Sequence, residues 1–265
     1  MSTTTLDFAT PTRPSRPRGF SKLLTTEARV WARDLANPFW VLLFPTVMLT
    51  LNLLGSDPTE TPDVYYGHHY YGIMLIQVIA PAMLAIAMSM PFIGVMPVAF
   101  GQFREKGVLK RFSGSPMRPQ ALIIVHYLIS ALGALGGAAV MLGAAAIIWG
   151  LTIPGNIGVV VIAFLLGTLT MASIGTLVSA RVAKATVANA IAMTVFFALL
   201  VAAGLMGGLM NETWTRIARF TPLGAATQAI EAGWFGYGFP VVETLVMVGW
   251  TILMLPLGVK LFRWR

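Results

Sequence analysis

The sequence contains no cysteine, and only 11% of its 265 residues are charged. Without cysteine there is no disulfide framework, no thiol nucleophile and no Cys-based metal site. A water-soluble domain usually carries about 25% charged residues, so this chain has too few charges to cover a surface that faces water. Because 57% of its residues are hydrophobic, we expect lipid to be its main solvent.

Sequence motifs for common chemistries are also missing. There is no GxxxxGK[ST] phosphate loop, no HExxH pair and no GxSxG nucleophile elbow. Only three histidines are available as imidazole metal ligands. We therefore expect no catalytic residue, no metal and no cofactor bound by this chain, and an intramembrane enzyme is disfavoured. The first 18 residues are polar, so no cleavable signal peptide is expected.

Long apolar segments predict six membrane-spanning helices. A span needs roughly 20 apolar residues to cross about 30 Å of hydrocarbon, and nothing in the sequence alternates as barrel strands do. The expected fold is an all-α polytopic membrane domain over residues 20–265, preceded by a disordered cytoplasmic tail at 1–19. The spans are predicted at about 39–55, 71–99, 121–150, 157–180, 187–208 and 241–261.

Prolines and small residues indicate how these spans are shaped. Pro81, Pro91 and Pro97 remove backbone donors from the second span and favour a kink, which fits either a moving segment or a static bend. Small residues four positions apart allow helix backbones to approach closely in lipid. Such pairs occur at Gly133/Gly137, Ala139/Gly143, Ala163/Gly167, Gly175/Ser179 and Gly204/Gly208.

The distribution of positive charge predicts the orientation. Sixteen of the 18 lysines and arginines lie on one side of the predicted membrane, and the positive-inside rule makes that side cytoplasmic. Both termini are therefore expected in the cytoplasm, with the protein in the cell (plasma) membrane. Arg216 and Arg219 are the exceptions, and Glu212 and Glu231 could offset them. Since the cations follow membrane sidedness, no nucleic-acid partner is expected.

Residues 20–35 have the periodicity of an amphipathic helix. Apolar residues that include Trp31 fall on one face, and cations such as Arg33 fall on the other. We expect this helix to lie in the headgroup region of the membrane. Glu27 and Asp34 lie on or beside the apolar face, where they either pair with cations elsewhere or are simply acids near a helix end.

Polar side chains are sparse inside the predicted spans. No span carries a carboxylate near its middle, which argues against a transporter driven by protons or sodium. Asn52, Gln77 and Asn189 could contact a substrate or form hydrogen bonds between helices. His126 could be a hydrogen-bonded structural residue or a proton shuttle.

The stretch between the fifth and sixth spans predicts two short helices. Glu212 and Arg216 are four residues apart with the acid first, which is the favourable order on a helix. Pro222 interrupts the chain before a second, more apolar helical stretch. We expect an external re-entrant hairpin that dips into the outer leaflet.

The loop after the second span, FREKGVLKRFSGSPMRP, combines cations with one unexplained acid. A helix over residues 101–112 would group Val108, Leu109 and Phe112 on one side, with Glu105 beside them. Attraction to the inner leaflet explains the cations, but it gives Glu105 no role. The segment is therefore predicted to insert into a groove of a protein partner.

This loop resembles a segment of ABC-2 type permeases, the membrane subunits of ATP-binding-cassette exporters. In that family an Arg-Glu-(Arg/Lys)-Gly-x-Leu run precedes a turn that contains proline. RDLANPFW resembles the family's Arg-Asp-Pro element, although extra residues precede Pro38, and ARFTPLGAATQAI resembles its external segment at Pro222. The likeness covers nearly the whole chain and is nearest to the daunorubicin-type multidrug exporters. The matching loop residues are Arg104, Glu105, Lys106, Gly107, Leu109 and Pro116.

The resemblance implies a permease that pairs with a second permease, as a homodimer or heterodimer, and with nucleotide-binding subunits that hold ATP and Mg²⁺. The 100–116 loop would be the coupling helix, braced by the helix at 20–36. Substrate would pass between the permeases near the first, second and fifth spans. The implied coupling residues are Arg104, Glu105, Lys106, Gly107, Val108, Leu109, Phe112 and Pro116.

The predicted function is export of an amphiphilic drug, lipid or glycoconjugate, powered by a separate ATPase. The alternative is a non-transporting membrane scaffold or sensor subunit whose loop recruits a cytoplasmic ATPase or another protein.

Overall fold

A computed structural model describes residues 18–61, 64–65, 68–69, 72–109, 120–206 and 212–262. The regular structure of this part of the chain is helical, apart from two short antiparallel strands, β1 (Val64–Tyr65) and β2 (His68–His69). Most of the predicted tail, and the loop residues Phe112 and Pro116, lie outside the described residues.

Six of the described helices are long and apolar enough to cross a membrane, as the sequence predicts. They match the predicted spans, with ends shifted by a few residues. The helices are α1 (Arg18–Arg33), α2 (Ala36–Leu53), α3 (Leu75–Glu105), α4 (Gln120–Trp149), α5 (Ile157–Ser179), α6 (Ala185–Ala203), α7 (Glu212–Ala218), α8 (Pro222–Phe235) and α9 (Val241–Leu261). The candidate spans are α2, α3, α4, α5, α6 and α9.

Helix α3 forms the centre of the bundle. In its most apolar stretch 89% of the residues are buried, compared with 22% for α2 and 17% for α9. It packs against α2, α4, α5, α6 and α8, and side chains such as Ile76 and Met88 are fully buried. The surrounding helices consequently keep apolar faces on the outside, where a membrane protein meets lipid or another subunit.

Both α2 and α3 contain a π-helical turn, at Phe39–Leu43 and Met90–Val95. The second turn includes Pro91, one of the three prolines that predicted an irregular second span. Turns of this kind locally rearrange the helix and occur frequently at functional sites.

Each π turn lies against a glycine of the neighbouring helix. A Cβ atom at Gly137 of α4 would collide with the carbonyl oxygen of Val41, and one at Gly175 of α5 would collide with that of Phe92. Two predicted small-residue positions therefore mark close helix contacts. In contrast, a Cβ atom at Gly143 would meet open space, and Gly208 lies outside the described residues.

The end of the bundle where α3, α5 and α9 finish and α4 and α6 begin is here called the basic end. It carries Arg104 on α3, Arg181 and Lys184 between α5 and α6, and Lys260 on α9. Helix α1 packs against α4 at this end. Short helices α7 and α8 lie at the opposite end, and α8 is buried against α5 and α9.

Candidate functional site at the basic end

Arg104 joins the end of α3 to the turn between α5 and α6. Its Nη1 atom donates to the carbonyl oxygens of Ser179 at 2.7 Å and Val182 at 2.9 Å, and Nη2 donates to that of Ala180 at 3.0 Å. The last carbonyls of a helix have no partner within that helix, and a cation there also interacts favourably with the helix dipole. The guanidinium carbon lies 4.8 Å from the ring centroid of Phe262. Arg104 therefore holds together the end of α3, the α5–α6 turn and the residue that follows α9, Phe262. These contacts are called the arginine clamp below.

Glu105 joins the end of α3 to the start of α6. Its Oε2 atom accepts a hydrogen bond from the backbone N–H of Ala185 at 3.2 Å. Lys184, the N-cap residue of α6, makes no side-chain cap of its own, so a carboxylate from another helix fills part of that role. The acid that lipid anchoring could not explain therefore has a partner within the chain, and its side chain remains exposed.

The continuous helix expected over residues 101–112 is interrupted. Helix α3 ends at Glu105, and Gly107 adopts a left-handed conformation with φ of +66°. The N–H groups of Lys106 and Gly107 bond back into the last turn of α3, as is usual where a helix ends at glycine. Val108 and Leu109 are helical again. Leu109 is only 2% exposed, so it is packed within this chain and not displayed beside Glu105.

Helix α1 is attached to the bundle through Glu27. The Oε2 atom of this residue lies 3.4 Å from Nε2 of His126 on α4, and the two side chains are 15% and 7% exposed. The imidazole packs between Phe100 and Phe103, with ring centroids 5.4 and 5.0 Å away. His126 therefore connects α1 to the end of α3, and the pairing supports the interpretation that Glu27 has a specific partner.

The other predicted interfacial residues lie close to the corner between α1 and α2. Trp31 is half-buried and Arg33 is exposed. The Oδ1 atom of Asp34 accepts the backbone N–H of Ala36 at 3.3 Å, so part of its role is to form this corner. Asn37 donates to the carbonyl oxygen of Trp31 at 3.4 Å.

A cavity of about 400 Å³ opens beside this corner, between the start of α2, the π turn of α3 and the start of α6. Binding sites for drug-sized molecules usually have volumes of about 300–1,000 Å³ and apolar walls with a few polar groups. This cavity fits that description. Its apolar lining includes Trp40, Met90, Val98 and Met193, and its polar lining consists of Asp34, Asn37, Gln102 and Asn189.

The predicted substrate-path residues do not come together. Asn189 lines the cavity, whereas Asn52 and Gln77 lie at the opposite end of the bundle. Asn52 donates to the carbonyl oxygen of Met48 on its own helix at 2.8 Å, and Gln77 donates to the hydroxyl of Thr152 at 2.6 Å. Gln102 also lines the cavity, which could not be expected from the sequence because the second span was predicted to end at residue 99.

At the opposite end, α7 and α8 are joined by a tight corner. The hydroxyl of Thr221 accepts the N–H of Gly224 at 3.1 Å, which caps α8 one residue before Pro222. Gln228 donates to the carbonyl oxygen of Thr215 at 3.0 Å and holds the two helices side by side. These contacts form a compact helical pair.

One charged contact links this pair of helices to α9. Arg219 pairs with Glu243 at the start of α9, with Nε 2.6 Å from Oε1. Arg216 is exposed, and the Glu212 side chain lies outside the described part of the structure. Glu231 is half-buried on α8, and burial raises the pKa of its carboxyl to about 7.

Comparison with curated proteins gives no match. The family described as ABC-2 family transporter protein matches residues 51–261. The matched region begins near the end of α2 and includes α3 to α9, so it contains the arginine clamp, the Glu105 cap and both short helices. The six candidate spans found among the described residues of the chain agree with a multi-pass membrane protein. The chain therefore belongs to the ABC-2 family of transporter proteins.

Proposed function

We propose that this chain is the membrane permease subunit of an ATP-driven ABC exporter. The observation that carries the proposal is membership of the ABC-2 family, which implies a membrane subunit that works with a separate ABC ATPase. The sequence is consistent with ATP hydrolysis by a separate subunit, because this chain has no phosphate loop. In this proposal ATP and Mg²⁺ bind to the partner subunit.

The segment 104–116 is proposed as the contact with the ATPase. Arg104 and Glu105 hold the turn between α5 and α6, so a displacement of this segment would act on two further spans. The left-handed residue Gly107 lets the chain change direction as it leaves α3. Buried Leu109 anchors the segment to the permease, while Lys106, Val108 and the residues up to Pro116 make the contact.

The cavity between α2, α3 and α6 is proposed as the place where substrate is received. Its apolar wall suits the hydrocarbon part of an amphiphile, and its amides and carboxylate suit the polar part. The substrate would be an amphiphilic drug, lipid or glycoconjugate taken from the cytoplasm or inner leaflet. The resemblance to daunorubicin-type exporters makes an amphiphilic drug the first class to test.

The proposed orientation puts the basic end in the cytoplasm, with both termini there and the protein in the plasma membrane. Helix α1 would then lie along the inner headgroup layer with exposed Arg29 and Arg33 toward water. Helices α7 and α8 would form a re-entrant hairpin at the outer leaflet. The burial of α8 against α5 and α9 supports that placement.

A second permease subunit is proposed to complete the transport path. Helices α2 and α6 expose large apolar side chains, including Trp40, Leu43 and Phe197. Both helices also line the cavity. A second copy or a related permease against these helices would enclose a route between the two subunits.

The test is co-expression of the full chain with a candidate ABC ATPase, followed by co-purification and reconstitution. We expect ATP turnover to depend on this chain and a fluorescent amphiphile to move across the vesicle membrane. Charge reversal by Glu105→Lys should abolish coupled turnover while the protein still inserts. Glu60→Lys, an exposed acid at the opposite end, is the matched control. Full coupled turnover in Glu105→Lys would show that Glu105 is not needed for coupling and would contradict the proposed contact of segment 104–116 with the ATPase.

The alternative, a non-transporting scaffold or sensor subunit, is separated by the same preparation. A scaffold would bind the ATPase without ATP-dependent movement of any tested amphiphile. ATP-dependent movement that requires this chain would rule it out.

A further inference from the structure

A second groove lies at the basic end, on the outer side of the turn that Arg104 clamps. It has a volume of about 540 Å³ and is formed by the end of α5, the start of α6 and the end of α9. Its wall is apolar, and Val187 and Ile191 are 49% and 41% exposed there. The groove therefore offers hydrocarbon contacts on a face of the bundle that the described residues leave uncovered. The other apolar lining residues include Leu177, Val178 and Leu261.

The mouth of this groove is positively charged. Arg181 lines it directly and is exposed. Lys184 immediately precedes α6, and Lys260 precedes the lining residue Leu261; both are exposed. The described lining contains no acid, and Glu105 at the end of α3 already accepts the backbone N–H of Ala185.

The clamp on this turn explains why Arg181 is available. The carbonyl oxygens on either side of it, at Ala180 and Val182, both accept hydrogen bonds from Arg104. Arg104 thus occupies the inner side of the turn, and the Arg181 side chain lies in the groove. A fixed turn that presents a guanidinium can bind a phosphate oxygen by charge-assisted hydrogen bonds.

We infer that this groove is a binding site for an anionic phospholipid. One acyl chain lies against Val187 and Ile191, and the phosphate binds Arg181, with Lys184 and Lys260 contributing to the positive field. Basic pockets between membrane helices at the cytoplasmic side are suited to lipid headgroups of this kind. The inference needs the basic end at an inner leaflet that contains anionic lipid, and it does not need transport activity.

A lipid suits the groove better than a soluble anion does. A soluble anion would use the cations alone and would gain nothing from the apolar wall below them. An amphiphile with one phosphate uses both parts, because each buried CH₂ group adds to its binding. Removing one cation near the inner leaflet should weaken binding about fivefold.

The experiment uses the full chain purified in a neutral detergent, with native mass spectrometry and thermal unfolding as the two measurements. Phosphatidylglycerol is expected to bind and to raise the melting temperature, whereas phosphatidylcholine and glycerol 3-phosphate do neither. Arg181→Gln should weaken phosphatidylglycerol binding about fivefold, and Arg181→Lys should retain most of it. Ile191→Trp, at a position that is already partly exposed, should block the acyl chain.

The matched control is Lys22→Gln, which removes an exposed cation from α1, away from the groove. It should bind phosphatidylglycerol like the wild type. Equal weakening in Lys22→Gln and Arg181→Gln would overturn the inference, since only general surface charge would then matter. Equal binding of both phospholipids, stabilisation by glycerol 3-phosphate alone, or undiminished binding by Ile191→Trp would overturn it as well.

Discussion

The carboxylate of Glu105 accepts the backbone N–H of Ala185 at 3.2 Å, so the last residue of α3 caps the first turn of α6. Arg104, one residue earlier, holds the preceding turn through three carbonyl oxygens. Two consecutive residues of opposite charge therefore connect the proposed coupling segment to the two helices on either side of the α5–α6 turn. At Glu105 this role in the fold coincides with the role proposed for it toward the ATPase.

Substitution of Glu105 by Ala or by Gln tests how much its carboxylate stabilises the start of α6. Glu105→Gln keeps an acceptor for the Ala185 amide, whereas Glu105→Ala loses it at a cost of about 0.5–1 kcal/mol. Hydrogen exchange at the start of α6 should therefore accelerate in Glu105→Ala and stay close to wild type in Glu105→Gln. Unchanged exchange in Glu105→Ala would show that the cap does not stabilise α6.

The contact between Glu27 and His126 predicts how firmly α1 is attached. Glu27→Ala removes the carboxylate that lies 3.4 Å from the buried imidazole, and the loss of this contact should cost about 1 kcal/mol. Trypsin has sites within α1 at Lys22 and Arg29, and cleavage there should become about fivefold faster if it tracks the population of detached helix. Thr26→Ala, an exposed neighbour, should leave the cleavage rate unchanged. The same rate in Glu27→Ala and wild type would contradict the attachment.

Alanine substitutions at two glycines are expected to change the stability of the bundle in different ways. A methyl group at Gly175 would meet the carbonyl of Phe92 in the π turn of α3, whereas one at Gly143 would meet open space. Gly175→Ala should therefore destabilise the bundle by about 1–3 kcal/mol. Gly143→Ala should be neutral or slightly stabilising, because alanine is the better helix former. Melting temperatures in one detergent give the comparison, and equal values for the two variants would exclude the close contact.

The number of spans could be predicted from the sequence because length and hydropathy alone decide whether a helix can cross lipid. The contacts between helices could not be predicted in this way. Arg104 reaches carbonyls 75 to 78 residues away, and spacing along one helix reveals only neighbours three or four positions apart. The same limit explains why Arg219 was expected to be offset by nearby acids, although its partner is Glu243 on another helix.

The loop after α3 shows a second reason why the structure could not be fully predicted from the sequence. Periodicity treats Glu105 and Leu109 as one helical face, but a left-handed Gly107 stands between them. Glycine fits both helical and left-handed backbone, so the break cannot be read from the residue alone. Once the helix ends there, Leu109 turns into the protein and Glu105 turns toward α6.

The Arg219–Glu243 pair predicts non-additive substitutions. Arg219→Gln leaves the carboxylate of Glu243, only 7% exposed, without its cation, which is strongly destabilising for a buried pair. Because Arg219 is itself partly exposed, we expect a loss of about 2 kcal/mol, below the usual range for buried pairs. The double variant Arg219→Gln with Glu243→Gln should be more stable than Arg219→Gln alone. Additive losses in thermal unfolding would show that the pair is not coupled.

Glu231 predicts a dependence of stability on pH. Burial raises the pKa of its carboxyl from an ordinary value of 4.5 to about 7, so the folded protein keeps a proton that the unfolded chain has released. The resulting stabilisation is complete below about pH 4.5 and is lost as the pH rises through 7.

Glu231→Gln imitates the protonated form and should remove the contribution of Glu231 to the pH dependence of stability. Its melting temperature should be near that of the wild type at pH 4 and higher than it at pH 8. Glu60→Gln, an exposed acid, should follow the wild type at both values. A constant offset between Glu231→Gln and wild type across this range would mean that Glu231 does not titrate there.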